Sequence, residues 1–181
     1  IGAVLFDEFH ERSLAADLGL ALTLHTQALL RPELRVLVMS ATLDGDAVSR
    51  LLADRHGDAP VIFSHGRMFP VVTHHRAARD RERIEAHVAR VVREALHENY
   101  GDVLVFLPGA REIRRTAELL VPVVASAPGA PAVVHELFGM LSLGAQDAAV
   151  APAPPGERKV VLSTSIAETS LTIEGVRVVV D

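Results

Sequence analysis

Short apolar runs alternate with stretches of helical periodicity along this 181-residue chain. The apolar runs predict strands at Ala3–Phe6, Arg35–Met39, Val61–Phe63, Asp102–Leu107, Ala132–His135, Val160–Leu162 and Arg177–Val180. The stretches between them predict helices from a Ser13 cap to about Arg31, and at Asp46–Ala53, Ile84–Leu96, 111–121 and Ser142–Val150. Strands separated by helices favour a mainly parallel α/β sheet with right-handed crossovers.

Two carboxylates, Asp7 and Glu8, directly follow the first apolar run. Parallel α/β sheets bind ligands beyond the carboxyl ends of their strands, so this pair lies at the predicted functional edge. In P-loop ATPases an aspartate at this place holds a magnesium ion, usually through water. A neighbouring glutamate can orient and deprotonate the water that attacks the γ-phosphate. Taken alone, the pair is equally typical of an acidic surface cluster that caps the next helix.

A second polar segment, Ser40–Thr42, follows the apolar run that ends at Met39. It therefore also lies at a predicted strand end. Small hydroxyl residues beside an aspartate and a histidine can relay the state of a bound nucleotide through short hydrogen bonds. The Ser-Ala-Thr string is common, but its place after Asp7–His10 makes the combination more specific than either part.

The polar segments together resemble the motifs of a known family. Asp7–Arg12 resembles motif II of the DEAH-box helicases of superfamily 2, and Met39–Leu43 resembles motif III. Val105–Gly109 looks like the motif IV region, and Ser163–Ile173 looks like motif V. Phe9 stands where the family name has alanine, which resembles the bacterial HrpB-type branch.

This resemblance implies two RecA-like lobes of the P-loop NTPase type, with ATP bound in the cleft between them. Residues 1–67 are then the later part of the first lobe with motifs II and III, and residues 68–181 are the second lobe with motifs IV and V. In the family, motif I precedes this segment and the arginine-rich motif VI follows it. The apolar runs at both ends suggest an internal piece of a longer sequence.

The family roles carry over to motifs II and III residue by residue. Asp7 takes the magnesium role, through water, and Glu8 takes the general-base role. His10 couples this site to Ser40 and Thr42, and through them to the second lobe. ATP and Mg²⁺ are therefore the cofactors that the resemblance implies.

Motif V in the family lies between the nucleic-acid backbone and the ATP cleft. The resemblance makes Thr164 and Thr169 candidates for contacts with backbone phosphates, and Ser170 a candidate for sensing the nucleotide. Ordinary capping of a strand–helix turn is the alternative interpretation for all three. Ser165 stands where the family usually has asparagine, which offers more hydrogen-bonding groups.

Composition limits these expectations in several ways. The net charge of −5 gives no basic footprint for nucleic acid, so a nucleic-acid partner is predicted from the motifs alone. The absence of cysteine excludes disulfides and thiolate metal sites and fits a cytoplasmic protein. The sequence contains no long uncharged apolar run, so it predicts no membrane span. The only lysine is Lys159, between Arg158 and Val160, so these residues contain no P-loop.

The sequence thus predicts a fragment of an ATP-dependent helicase that translocates on or unwinds nucleic acid, RNA rather than DNA. The 181-residue chain alone is expected to be inactive because it contains neither a P-loop nor motif VI. Two alternatives remain open. One is a non-catalytic module that binds nucleic acid or protein on a helicase-like scaffold. The other is a metal-dependent hydrolase site formed by Asp7, Glu8 and His10.

Overall fold

The protein is described by a computed structural model that covers residues 1–41, 45–54, 56–64, 66, 69–127, 129–167 and 171–181. The chain forms two compact units, Ile1–Val71 and Val72–Asp181. The predicted lobe boundary between residues 67 and 68 lies near this division. All paired strands of both units are parallel, which confirms the predicted α/β class with parallel sheets.

The first unit contains a two-stranded sheet with helices after each strand. Its elements are β1 (Ala3–Phe6), a 3₁₀ turn (Phe9–Glu11), α1 (Leu14–Leu29), β2 (Arg35–Val38) and α2 (Gly45–Leu51). The two strands pair with Ala3 opposite Arg35 and Phe6 opposite Val38. Their carboxyl ends therefore lie side by side at one edge of the sheet.

Helix α1 begins where the sequence predicts. The Oγ of Ser13 accepts a hydrogen bond from the backbone N–H of Ala16 at 3.1 Å, so a serine cap satisfies one of the free amides of the first turn. Gly19 faces β1, where a Cβ atom would lie only 3.3 Å from the Phe6 ring. Leu20 is buried, whereas four other leucines of α1 are exposed, namely Leu14, Leu18, Leu22 and Leu29.

The prediction of a third strand at Val61–Phe63 was wrong. The segment is not part of any sheet among the described residues, and Ile62 is 93% exposed. Its apolar composition indicated a strand, but a strand also needs a hydrogen-bonding partner, which no described residue supplies. The preceding turn is instead tied to α2, because the Ser49 hydroxyl donates to the carbonyl of Ala59 at 2.5 Å.

The second unit is a four-stranded parallel sheet in the order β4-β5-β3-β6. Its elements are α3 (Ile84–Glu98), β3 (Asp102–Phe106), α4 (Ala110–Ala125), β4 (Ala132–Leu137), α5 (Leu143–Val150), β5 (Arg158–Ser163), a 3₁₀ turn (Ser165–Ala167) and β6 (Val176–Val180). The two central strands supply both faces of the core. Val103, Val105 and Leu162 pack into one cluster with α3 and α4, and Leu104 and Val161 pack into the other.

Two buried charged residues, Asp102 and Lys159, stabilise the amino end of this sheet. The backbone N–H of Lys159 donates to the Asp102 carboxylate at 2.7 Å, and the Lys159 ammonium donates to the carbonyls of Ala149 and Ala151 at the end of α5. Burial lowers the pKa of Lys159, and the neighbouring Asp102 partly opposes that shift. These groups stabilise the end of the sheet opposite to the predicted motif V residues.

No helix within the described residues is long and apolar enough to cross a membrane.

Candidate active site

The Asp–Glu pair forms a tight turn directly after β1. The Oδ1 of Asp7 accepts the backbone N–H of Glu8 at 2.9 Å. Glu8 has φ 49° and ψ 36°, in the left-handed region, and the 3₁₀ turn starts at the next residue. Arg12 closes that turn, also in the left-handed region at φ 51°. Left-handed geometry is uncommon outside glycine, asparagine and aspartate, so the surroundings must hold both residues in place.

Backbone hydrogen bonds join this turn to the end of β2. The N–H of Met39 donates to the carbonyl of Phe6 at 2.8 Å, and the N–H of Phe9 donates to the carbonyl of Met39 at 3.1 Å. Ser40 follows Met39 directly. The structure therefore brings the predicted motif II and the start of motif III to one edge of the first unit.

His10 is oriented toward the glutamate of the turn. Its Nδ1 lies 3.4 Å from Oε2 of Glu8, and no described residue offers this buried nitrogen a well-aligned hydrogen bond. Asp7 is exposed, whereas Glu8 and His10 are half-buried. The three predicted motif II side chains thus share one turn, in which the aspartate faces solvent and the histidine accompanies the glutamate.

Hard oxygen donors are the part of this turn that suits a magnesium ion. Magnesium in phosphoryl-transfer sites is held by one or two carboxylates, several waters and the substrate phosphates. Asp7 offers an exposed carboxylate of this kind, with only one oxygen engaged by the Glu8 amide. Among the described residues, no group of three or more His, Asp and Glu side chains forms a closed metal cage. The residues present therefore fit a water-mediated site rather than a fully protein-coordinated one.

In the second unit, Thr164 follows the carboxyl end of β5. Its N–H donates to the carbonyl of Leu137 at 3.2 Å, and its own carbonyl accepts the N–H of Ala167 at 3.3 Å. The hydroxyl of Ser163 donates to the carbonyl of Leu137 at 3.2 Å. Thr164 is half-buried and Ser165 is exposed, so both stand at the carboxyl edge of the sheet.

An open groove of about 380 Å³ lies at this carboxyl edge. Its lining is formed by Ile84, Phe106, Leu107, Pro108, Ser165 and Asp181. The predicted motif IV and motif V segments therefore meet within the second unit. Three predicted site residues, Thr42, Thr169 and Ser170, lie outside the described residues.

Two contributors to the Asp–Glu turn were not predicted as functional. Phe9 departs from the family alanine, and it is only 3% exposed. Arg12 lies over the Phe9 ring, with Cζ 5.7 Å from the ring centroid. The large apolar ring between two polar candidates sets this position apart in the sequence, but its burial depends on packing against Phe6 and Arg12.

The second unit of the chain matches a known protein family. The model for the helicase conserved C-terminal domain matches residues 84–181, from the first residue of α3 to the last residue of the chain. This chain belongs to that helicase family. The helicase match covers the whole four-stranded sheet and the groove at its carboxyl edge.

Individual helicases match over both units. The chain is 49% identical to the ATP-dependent RNA helicase HrpB of Escherichia coli over 181 residues, which are 100% of this chain and 21% of that protein. It is 37% identical to the pre-mRNA-splicing factor ATP-dependent RNA helicase prp22 of Schizosaccharomyces pombe, covering 98% of this chain and 15% of that protein. A crystal structure of the E. coli DEAH/RHA helicase HrpB aligns with a TM-score of 0.83 and 49% identity, covering 99% of this chain and 22% of that one.

These matches confirm the resemblance to DEAH-box helicases of the HrpB type. They also show that the chain spans about a fifth of the length of the HrpB protein that it matches.

Proposed function

We propose that the protein containing this chain hydrolyses ATP and uses the energy to translocate on or unwind nucleic acid, RNA rather than DNA. The observation that carries the proposal is the Asp7–His10 turn, which backbone hydrogen bonds attach to the strand end that precedes Ser40. A helicase needs such an attachment, because ATP binding and hydrolysis at motif II must change the position of the second lobe through motif III. The names of the relatives, ATP-dependent RNA helicases, support the choice of substrate and partner.

In this proposal each residue of the turn has a separate task. Glu8 orients the attacking water and accepts its proton, since its carboxylate is held beside the sheet edge and is only half-buried. Asp7 holds Mg²⁺ through water, and the ion supplies charge neutralisation to the phosphate oxygens when bound. His10 keeps the Glu8 carboxylate in position from 3.4 Å away and links it to Ser40 and Thr42.

The second unit supplies the nucleic-acid contacts in the same proposal. Thr164 stands at the carboxyl edge beside the groove, where its hydroxyl can bind a backbone phosphate. The assignments of Thr169 to the nucleic acid and of Ser170 to nucleotide sensing rest on the motif V resemblance alone. The lack of cysteine supports a cytoplasmic location.

The 181-residue chain by itself is proposed to be inactive. Its only lysine, Lys159, is 2% exposed and bound to the carbonyls at the end of α5, so it cannot reach a nucleotide phosphate. An isolated chain that hydrolysed ATP in a magnesium-dependent manner would contradict this part of the proposal.

The test is RNA-stimulated ATP hydrolysis by the full-length protein carrying Glu8→Gln. The substitution keeps the size of the side chain but removes the base, so turnover should fall about a hundredfold or more while ATP still binds. Glu33→Gln is the matched control, because it makes the same change at a carboxylate outside the turn and should leave turnover unchanged. Normal turnover in Glu8→Gln would instead favour a non-catalytic binding module.

A further inference from the structure

The side chain of Phe9 is the one buried group of the turn that the proposed chemistry does not use. It is 3% exposed, although its two neighbours along the chain, Glu8 and His10, are half-buried and polar. The ring meets Phe6 edge-on, with centroids 6.3 Å apart and an angle of 75° between the planes. This is a favourable geometry for two aromatic rings, and it fixes the start of the turn to the last residue of β1.

Arg12 covers the same ring from the far end of the turn. Its guanidinium lies 5.7 Å from the ring centroid and also bridges to Asp17 in the first turn of α1, with Nη2 and Oδ2 3.1 Å apart. The N–H of Arg12 donates to the carbonyl of Phe9 at 3.3 Å. The phenylalanine is therefore held between β1 and the arginine that is tied to α1.

The backbone of Phe9 is fixed as firmly as its ring. Its N–H is bonded to the carbonyl of Met39, so the residue after the candidate base is attached to the end of β2. Glu8 itself is in the left-handed region, which an L-residue with a long side chain leaves readily unless its neighbours prevent it. Asp7 accepts the Glu8 N–H and His10 lies beside the Glu8 carboxylate, and the anchored residue at the next position restrains the Glu8 backbone from the other side.

We infer that Phe9 is a positioning residue for Glu8, and that its buried ring holds the candidate base in the left-handed geometry needed for catalysis. The inference rests on the proposed function, because it requires that Glu8 act as the base. Phe9 is not a catalytic residue in this account, since its ring is buried between Phe6 and Arg12 and carries no group that could transfer a proton. It acts through the orientation of its neighbour.

The first experiment measures kcat and KM for ATP in the full-length protein carrying Phe9→Ala. Loss of the ring should let Glu8 relax, and kcat should fall about tenfold or more, whereas KM should change less than about twofold. Phe9→Leu keeps a buried apolar side chain and should recover most of kcat. Leu20→Ala is the control: it removes a buried side chain of α1 in the same unit, and it should lower stability without lowering kcat of the folded protein.

A double-substitution cycle separates positioning from general destabilisation. If Phe9 acts through Glu8, adding Phe9→Ala to Glu8→Gln should cause no further loss of kcat, because the base is already absent. Losses that multiply, or normal kcat in folded Phe9→Ala, would overturn the inference. If Phe9→Ala does not fold, the cycle is run with Phe9→Val, which also removes the ring but leaves a smaller cavity, and multiplicative losses or a normal kcat there overturn the inference equally.

The same cycle distinguishes failure of this inference from failure of the proposed function. Normal turnover in Glu8→Gln alone removes the catalytic base and overturns both. Strongly reduced turnover in Glu8→Gln, together with normal kcat in Phe9→Ala, overturns only the positioning role.

Discussion

The two sheets of this chain differ sharply in how they are buried. In the first unit, β1 and β2 alternate between exposed and half-buried residues, and Leu5 and Leu37 are 57% and 46% exposed. In the second unit, every residue of β5 is buried, and so are four of the five residues of β3. The unit with the candidate catalytic turn is therefore the one with the thinner core.

The difference shows that a turn can have a well-defined geometry in a unit whose core is small. The turn after β1 is held by short-range contacts, namely the Phe9 ring, the bonds to β2 and the capped start of α1. The groove after β5 is instead carried by a sheet with a core on both faces. Because stability varies within a protein with the density of buried contacts, the two candidate regions should open with very different free energies.

The largest expected difference between the two units is in the rate of amide hydrogen exchange, measured on the 181-residue chain. Amides of β3 and β5 should exchange on the order of a thousandfold more slowly than those of β1 and β2, because a central strand opens only when its unit unfolds. Peptide-resolved mass spectrometry after timed exchange measures this ratio. Equal protection in the two sheets would show that the exposed faces of the first unit do not weaken it, and the comparison would fail.

Matched leucine truncations should give the next largest effect. Leu162→Ala removes a fully buried side chain from the core of β5 and should cost about 2–5 kcal/mol of unfolding free energy. Leu37→Ala removes the same atoms from an exposed position in β2 and should cost less than about 1 kcal/mol. Urea titrations followed by circular dichroism measure both. Similar costs for the two substitutions would contradict the assignment of a weaker core to the first unit.

The sequence allowed prediction of those features of the fold that depend on periodicity and capping. Ser13 and Ser142 each accept a hydrogen bond from the amide three residues later, as expected of helix caps, and six of the seven predicted strands correspond to observed ones. The failure at Val61–Phe63 has a clear cause. Periodicity reports the apolar character of a segment, whereas pairing depends on a partner that only the tertiary structure supplies.

The candidate site was predictable to a similar degree. The position of Asp7 and Glu8 at a strand end follows from the apolar run before them, and the structure places the start of motif III beside it. The left-handed geometry of Glu8 and the burial of Phe9 were not predictable, because both depend on packing against Phe6 and Arg12. Sequence order gives the edge of the sheet, but side-chain direction comes from tertiary contacts.

Each unit contains an arginine–glutamate ion pair, and replacing the glutamate should have the smallest effect on stability of the changes compared. In the second unit, Arg90 donates to both carboxylate oxygens of Glu82, at 3.2 and 3.1 Å, and attaches the segment before α3 to that helix. Hydrogen bonds from Arg90 above all, and from the Arg79 backbone, lower the pKa of Glu82 to about 2. In the first unit, Arg31 pairs with Glu33 and lowers its pKa too, but the Glu33 side chain is 61% exposed.

Acid titration of the unfolding midpoint distinguishes these two pairs. A carboxyl whose pKa is lowered on folding stabilises the protein fully above its ordinary value of 4.5, and Glu82 loses this contribution as the pH falls toward about 2. Glu82→Gln should therefore lower the midpoint near neutral pH and flatten its decline in acid. Glu33→Gln should change neither quantity measurably, since solvent screens an exposed pair. Identical acid profiles for wild type and Glu82→Gln would show that Arg90 does not hold the segment before α3.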